Sequence, residues 1–521
     1  MPRLLRHTRR ALLLPPVAVL TLAGCTAGDQ ERPDPPGPVP AGLERFYDQE
    51  ISWGDCAEFA TTRIDEQAFA APGLECARVE VPLDYAQPGG RTASIGMLRR
   101  PAAAQDARIG SLLVNPGGPG ASGMSSAAGL TGAVEGTEIG RRFDIVGFDP
   151  RGIGASEPPV ECRTTEEQDA ERLDNDLDTS PAGVAQTEAE ERGFAQLCAE
   201  RVGPEVLANI GTRDVARDMD VLRAVLGDEK LSYLGYSYGT RIGTEYAEQF
   251  PRNVGAMVLD GALDPDEELV ESLVNQGAGF QGSFDSFVDW CLRQPDCWTP
   301  GPAPDTERQF QQLLAPLAAS PLPVGDRLLS YDDAVTGTQQ ALYSDQLWSL
   351  LDEGLTGLAA GDGSVLLVLA DLYYQRDRDD YSNSQDAFIA VRCVDDPPIT
   401  DPAVFREADR RYREVAPFLD DGNPPSPARD ACAFWPVPAT GEPGVPQVEG
   451  IPPVLVVSTT GDPATPYQAG VELTRALGGR LITFEGNQHT VALSGVRCVD
   501  EAVTAYLVDG TLPADGARCA P

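Results

Sequence analysis

Three side chains in this sequence have the types and the order for nucleophilic acyl transfer. Ser237 sits in Gly235-Tyr236-Ser237-Tyr238-Gly239, Asp462 in Gly461-Asp462-Pro463, and His489 in Asn487-Gln488-His489-Thr490. A hydroxyl is a poor nucleophile at neutral pH; it needs an adjacent base, and the base needs an acid to orient it. His489 has no competitor as the base, because the only other histidine, His7, lies in an N-terminal segment with the marks of an export signal. Asp260 is the rival acid, and Asp462 is preferred because it lies in the stretch directly before the histidine strand. The charge that develops on the substrate needs two backbone N–H donors. Tyr238 offers one at the start of the helix that follows the serine. The glycine loop Asn115-Pro116-Gly117-Gly118-Pro119-Gly120 offers the other, with Gly118 ahead of Gly117.

These groups can meet only if regular elements carry them. "LSYLGYS" reads as a strand that hands over to a helix from Tyr238 to Phe250, and Gly235 and Gly239 have no side chains to obstruct the bend. Asp462 follows the apolar run "PPVLVVSTT" and His489 follows "RLITF". Further strands are expected at "CARVEVPLDY", "ASIGMLRRPA", "RIGSLLVNPGGPG", "RRFDIVGFDPRGIGAS" and "VGAMVLDG". Between them, Val215, Met219, Leu222 and Leu226 share one helical face, and Gly227 stops that helix. Thr465-Pro466 reads as the N-cap and first residue of another helix. Alternation of strands and helices predicts an α/β fold, a mostly parallel sheet flanked by helices. From residue 264 to 442 the apolar pattern is mainly helical, so a helical cap is expected there, inserted before the acid-bearing strand. The core then occupies 43–263 and 443–521, and a last helix near Ala502 to Leu507 closes the sheet.

The 521 residues carry 80 acidic and 40 basic side chains, a net charge of −40, which excludes a nucleic-acid partner by repulsion from phosphate. Arg3, Arg6, Arg9 and Arg10 precede an apolar run from Ala11 to Leu22, and Leu22-Ala23-Gly24-Cys25 follows. That is an export signal over residues 1–25. Its end resembles a bacterial lipobox, which makes Cys25 the lipidated residue and a membrane the anchoring partner; Thr8-Arg9-Arg10 leaves a twin-arginine route open. Residues 26–42, rich in proline and glycine, read as a flexible tether. Of 11 cysteines, setting Cys25 aside leaves 10, an even number suited to an oxidising compartment. No C-x-x-C pair is present and histidine is scarce, so neither a metal site nor a cofactor is expected. Connectivity is not readable from sequence. Joining neighbours along the chain gives Cys56–Cys76, Cys162–Cys198, Cys291–Cys297, Cys393–Cys432 and Cys498–Cys519.

"NPGGPG", "FDPRGIGAS", "GYSYGT", "VLDGALDP", "GDPATP" and "GNQHT", in this order, resemble the secreted tripeptidyl-aminopeptidase branch of the proline-iminopeptidase-like serine peptidases. The resemblance implies an α/β-hydrolase fold with a helical cap, no cofactor, and release of short peptides from free N-termini. Two positions depart from the pattern: Gln488 stands where relatives usually have glycine, and Pro116 where the iminopeptidases usually have histidine. An aminopeptidase must hold an ammonium group, so a carboxylate is expected to face the serine. In "AFIAVRCVDDPP" Asp395 occupies the family's acidic position, and Glu267 and Glu268 at the cap entrance are the alternatives. The leading expectation is a serine exopeptidase acting on peptides. A carboxylesterase or lipase using the same triad is the runner-up, and a catalytically silent surface lipoprotein is the third reading.

Overall fold

The computed structural model describes residues 37–299, 301 and 305–521; the expected signal, Cys25 and most of the tether lie outside them. Nine strands form one sheet. They are β1 (Glu75–Pro82), β2 (Thr92–Arg100), β3 (Gly110–Asn115), β4 (Phe143–Phe148), β5 (Leu231–Tyr236), β6 (Val254–Asp260), β7 (Leu455–Thr459), β8 (Arg480–Phe484) and β9 (Ala517–Cys519). The spatial order is β1-β2-β4-β3-β5-β6-β7-β8-β9. β1 pairs antiparallel with β2 and β2 with β4, while every pair from β4 to β9 is parallel.

Parallel strands covered on both faces read as unbroken apolar runs, because alternate side chains serve two separate cores. All six residues of β3 are buried. Leu113, Val146, Tyr233 and Met257 join the core on one face; Leu112, Val114, Ile145, Leu234 and Val258 join the core on the other. Helices α1 (Gly123–Val134), α2 (Thr165–Glu171), α3 (Pro181–Arg201), α4 (Thr212–Val225) and α5 (Tyr238–Gln249) alternate with the first strands. In α4 the predicted face is buried at Val215, Met219 and Leu222, and Gly227 ends the helix with a φ of +82°.

The cap follows β6. Its main helices are α6 (Leu269–Cys291), α7 (Tyr331–Leu342), α8 (Ser364–Tyr374) and α9 (Ser384–Asp395). It has its own aromatic core, in which Phe284 stacks on Phe418 at 4.5 Å between ring centroids, with Phe287, Phe310 and Trp348 around them. Helix α3, expected with the first part of the core, packs into it through Phe194 and Cys198, and the α2–α3 stretch also touches the cap: Arg172 donates to Asp333 at 2.8 Å, Arg429 pairs with Glu188 at 2.7 Å, and Phe194 stacks on Trp435. Two more helices, α10 (Tyr467–Ala476) and α11 (Arg497–Asp509), complete the core. The short strand β9, and not the helix before it, closes the sheet.

Five disulfides join the pairs that proximity along the chain suggested: Cys56–Cys76, Cys162–Cys198, Cys291–Cys297, Cys393–Cys432 and Cys498–Cys519. Cys291 and Cys297 also lie near Asp352, but their sulfurs are tied to each other. No helix among the described residues is long and apolar enough to cross a membrane.

Candidate active site

Ser237 turns the chain from β5 into α5 with φ +52° and ψ −125°, a conformation L residues rarely adopt. The turn is held from three sides. Ser237 N–H donates to the Asp260 carbonyl at 2.8 Å, Thr240 N–H donates to the Ser237 carbonyl at 2.8 Å, and the buried Tyr233 hydroxyl donates to the Gly239 carbonyl at 2.8 Å. A methyl group at Gly235 would stand 2.5 Å from the Gly239 carbonyl oxygen, and one at Gly239 would stand 2.8 Å from that of Asn115. Glycine on both sides of the serine is therefore a packing requirement of the elbow.

As the first residue of α5, Tyr238 has an N–H with no acceptor inside the helix. The glycine loop lies against it: a methyl group on Gly117 would approach Tyr238 N to 2.9 Å and Tyr236 O to 2.6 Å. Gly117 N–H is already given to the Asn115 side-chain oxygen at 2.9 Å. Of the two expected donors in this loop, Gly118 is thus the one whose N–H is not used in that bond.

Asp462 lies in the turn after β7, and His489 in the loop after β8. His489 Nδ1 is 3.0 Å from both Asp462 carboxylate oxygens, and Asp462 is 3% exposed. The same carboxylate accepts from Ala464 N–H and Thr465 N–H at 2.9 Å each and from the Thr465 hydroxyl at 3.0 Å. Burial lowers the imidazole pKa, but the attraction and hydrogen bond of Asp462, helped by the charge of Asp260, outweigh it and leave His489 raised above its ordinary value. His489 N–H donates to the Tyr343 carbonyl at 2.8 Å, and the Tyr343 ring meets the imidazole edge-on at 5.4 Å. The elbow and the histidine border the same strand exit: Asp260 holds Ser237, and a methyl on Gly261 would lie 3.0 Å from His489 Cε1. Ser237, His489 and Asp462 thus stand just past the ends of β5, β8 and β7.

A family model described as "alpha/beta hydrolase fold" matches residues 110–496. The chain is 49% identical over 510 residues to "Carboxylesterase B" of Mycobacterium tuberculosis, covering 97% of this chain and 95% of that protein. It is 44% identical over 481 residues to "Serine protease Hip1" of the same species, covering 90% and 91%. It is 33% identical over 487 residues to "Tripeptidyl aminopeptidase" of Streptomyces lividans, covering 90% and 87%. The chain belongs to the α/β-hydrolase family. It is a serine hydrolase of that fold, similar to the tripeptidyl-aminopeptidase branch that its motifs resemble.

Asp260, the rival acid, is fully buried in this hydrolase and does not hold the imidazole. One of its oxygens accepts from Val491 N–H and Ala492 N–H at 2.6 Å each, just past the histidine, while Oδ1 is buried with no partner among the described residues. Burial raises its pKa to about 6 despite those bonds. Thr465 is not the N-cap of α10, where Pro466 stands; its hydroxyl instead touches Asp462 and comes within 3.3 Å of His489 Nδ1. Tyr343 carried no sequence signal at all.

The expected ammonium ligands come out differently. Asp395 is 2% exposed, and both its oxygens are engaged, by Thr212 N–H at 2.8 Å, by the Thr212 hydroxyl and by the Tyr238 hydroxyl at 3.2 Å. It is no open carboxylate facing a substrate. Glu268 is exposed at the start of α6 and makes no side-chain cap there. Glu267 accepts from Asn275 and lines a cavity of about 620 Å³ on the cap side of Asp462.

Proposed function

We propose that this hydrolase is a serine exopeptidase that removes short peptides, tripeptides foremost, from free N-termini. Ser237 attacks the scissile carbonyl while His489 takes its proton, and Asp462 holds the imidazolium that forms. Tyr238 and Gly118 N–H groups meet the oxyanion. The imidazolium then protonates the leaving amine, and water repeats the sequence on the acyl-enzyme. The observation that carries the acyl-transfer reading is the His489 Nδ1–Asp462 pair, locked by Thr465 beside the strained serine elbow. Similarity to proteins named tripeptidyl aminopeptidase and serine protease favours a peptide substrate. Export, lipidation at Cys25 and the oxidising surroundings that five disulfides suit belong to the same reading.

A cavity of about 680 Å³, whose lining includes none of Ser237, Asp462 or His489, is the acidic pocket this reading offers an amine. α9 walls it with Gln385 and Ile389, the segment between α2 and α3 contributes Asp174, and α3 and α7 contribute Glu191 and Asp332. Burial, reinforced by neighbouring acids, raises Glu191 and Asp332 to about 7, and neither forms an ion pair among the described residues. A substrate ammonium would add a countercharge beside the arginines Arg163 and Arg172 that also line the cavity. The second reading, a carboxylesterase, is favoured by the 49% identical relative of that name and by the apolar wall that Phe194, Leu197 and Val335 give the same cavity.

Hydrolysis of a free tripeptide anilide, its N-acetylated form and a short acyl ester separates the two. An exopeptidase loses about 30-fold or more in kcat/KM on acetylation, the value of one charge-paired contact. Equal rates on free and acetylated peptides, with a faster ester, would establish the esterase.

A further inference from the structure

The elbow leaves one question open: what fixes the direction of the Tyr238 N–H? That direction follows from the peptide plane between Ser237 and Tyr238, which lies in a backbone region L residues rarely adopt and is held on its carbonyl side by Thr240 N–H at 2.8 Å and the Thr240 hydroxyl at 2.7 Å. The Tyr238 side chain anchors the other side of the plane. Its hydroxyl lies 2.5 Å from Thr212 Oγ1 and donates to Asp395 Oδ2 at 3.2 Å, and Thr212 N–H donates to Asp395 Oδ1 at 2.8 Å. One turn further along α5, Arg241 donates to the Asp395 carbonyl at 3.1 Å and pairs with Asp396 at 2.9 Å. The end of α9 is therefore fastened to the first turn of the nucleophile helix.

The other end of α9 reaches the second donor. The Ser384 carbonyl packs directly on Gly120, in the loop that presents Gly118, so closely that no side chain fits at that glycine. Twelve residues at about 1.5 Å each give α9 a span of about 18 Å between these two attachments. A cap helix thus touches both halves of the oxyanion hole. Sealing the interface would not by itself call for a carboxylate, since an apolar pair of equal volume packs as well and avoids the desolvation cost.

We propose that Asp395 is a positioning residue for the oxyanion hole, holding Tyr238 through its phenol so that the backbone N–H points at the developing charge. The proposal rests on the acyl-transfer reading above. It gives Asp395 a part in turnover of every substrate, and none in recognising an amine.

The test uses the full chain with Tyr238→Phe, Asp395→Asn and their combination, assayed on the free tripeptide anilide, its acetylated form and a short acyl ester. Each single variant should lower kcat about 10–100-fold, the scale of a misdirected oxyanion donor, with KM within about twofold. The loss should be equal on all three substrates, and the double variant no worse than the poorer single one. Wild-type kcat in folded Tyr238→Phe would overturn the proposal, as would an Asp395→Asn variant whose only defect is a raised KM for the free-amine peptide. If Asp395→Asn does not fold, Tyr238→Phe, which removes one hydroxyl, decides by the same criterion. Ser237→Ala separates this outcome from the reading beneath it: an active Ser237→Ala enzyme defeats acyl transfer itself, whereas an inert one beside a fully active Tyr238→Phe defeats only the role of Asp395.

Discussion

Asp260 and Asp462 end neighbouring parallel strands below the same histidine, and they do different work. Asp462 is surrounded by donors and turns both oxygens towards His489 Nδ1. Asp260 spends one oxygen on the backbone beyond the histidine and leaves the other buried with no partner among the described residues. The first orients a ring directly, and the second orients the loop that carries it. A carboxylate at a strand end is therefore not an acid of the triad until its hydrogen bonds are known.

The sharpest way to break this distinction is to remove each charge in turn. Asp462→Asn should lower kcat by about 10³-fold or more, since the base loses both its orientation and the stabilisation of its charged form. Asp260→Asn should lower it only about 10-fold, through a looser loop. The reverse ranking in steady-state kinetics would exchange the two roles.

The acid limb of kcat/KM sharpens the comparison. His489 must be neutral to accept the serine proton, so activity falls as pH drops through its raised pKa. Asp462 favours the imidazolium more strongly than Asp260 does, so Asp462→Asn should move the limb to lower pH. Asp260→Asn should move it the same way by less. A larger displacement in Asp260→Asn would show that the charge near the ring has been misassigned.

Stability gives the smallest effect. The folded-state pKa of Asp260, about 6, is raised from 3.8, so the folded form holds this proton more tightly than the unfolded chain. Its contribution is thus lost as pH rises from about 4 to about 6, amounting to about 3 kcal/mol across that window. Melting temperatures from pH 4 to 7 should fall less steeply in Asp260→Asn than in the wild type. Identical slopes would mean that Asp260 is ionised throughout.

Much of this arrangement is written locally. β3, β5 and β7 are legible because strands buried on both faces are continuous apolar runs, and the glycines around Ser237 mark a turn with no room for side chains. What was not legible depends on partners far along the chain. Thr465 before a proline has the chemistry of a helix cap, and only the fold brings His489 within reach of its hydroxyl. Asp395 matches an acidic family position, but Thr212 and Tyr238, 183 and 157 residues away, decide that it is enclosed. Helices α2 and α3 precede the nucleophile strand, and only the fold brings this stretch into ion pairs with Asp333 and Arg429 of the cap. Three residues of β9 are too few to show a pattern.

The central claim is that Ser237 carries the acyl group. Brief reaction with an activated acyl ester, an acid quench and peptide mass spectrometry should find one acyl adduct, on the peptide that contains Ser237. It should be absent from Ser237→Ala and strongly reduced in His489→Ala. An adduct on another residue, or undiminished turnover in folded Ser237→Ala, would contradict the account.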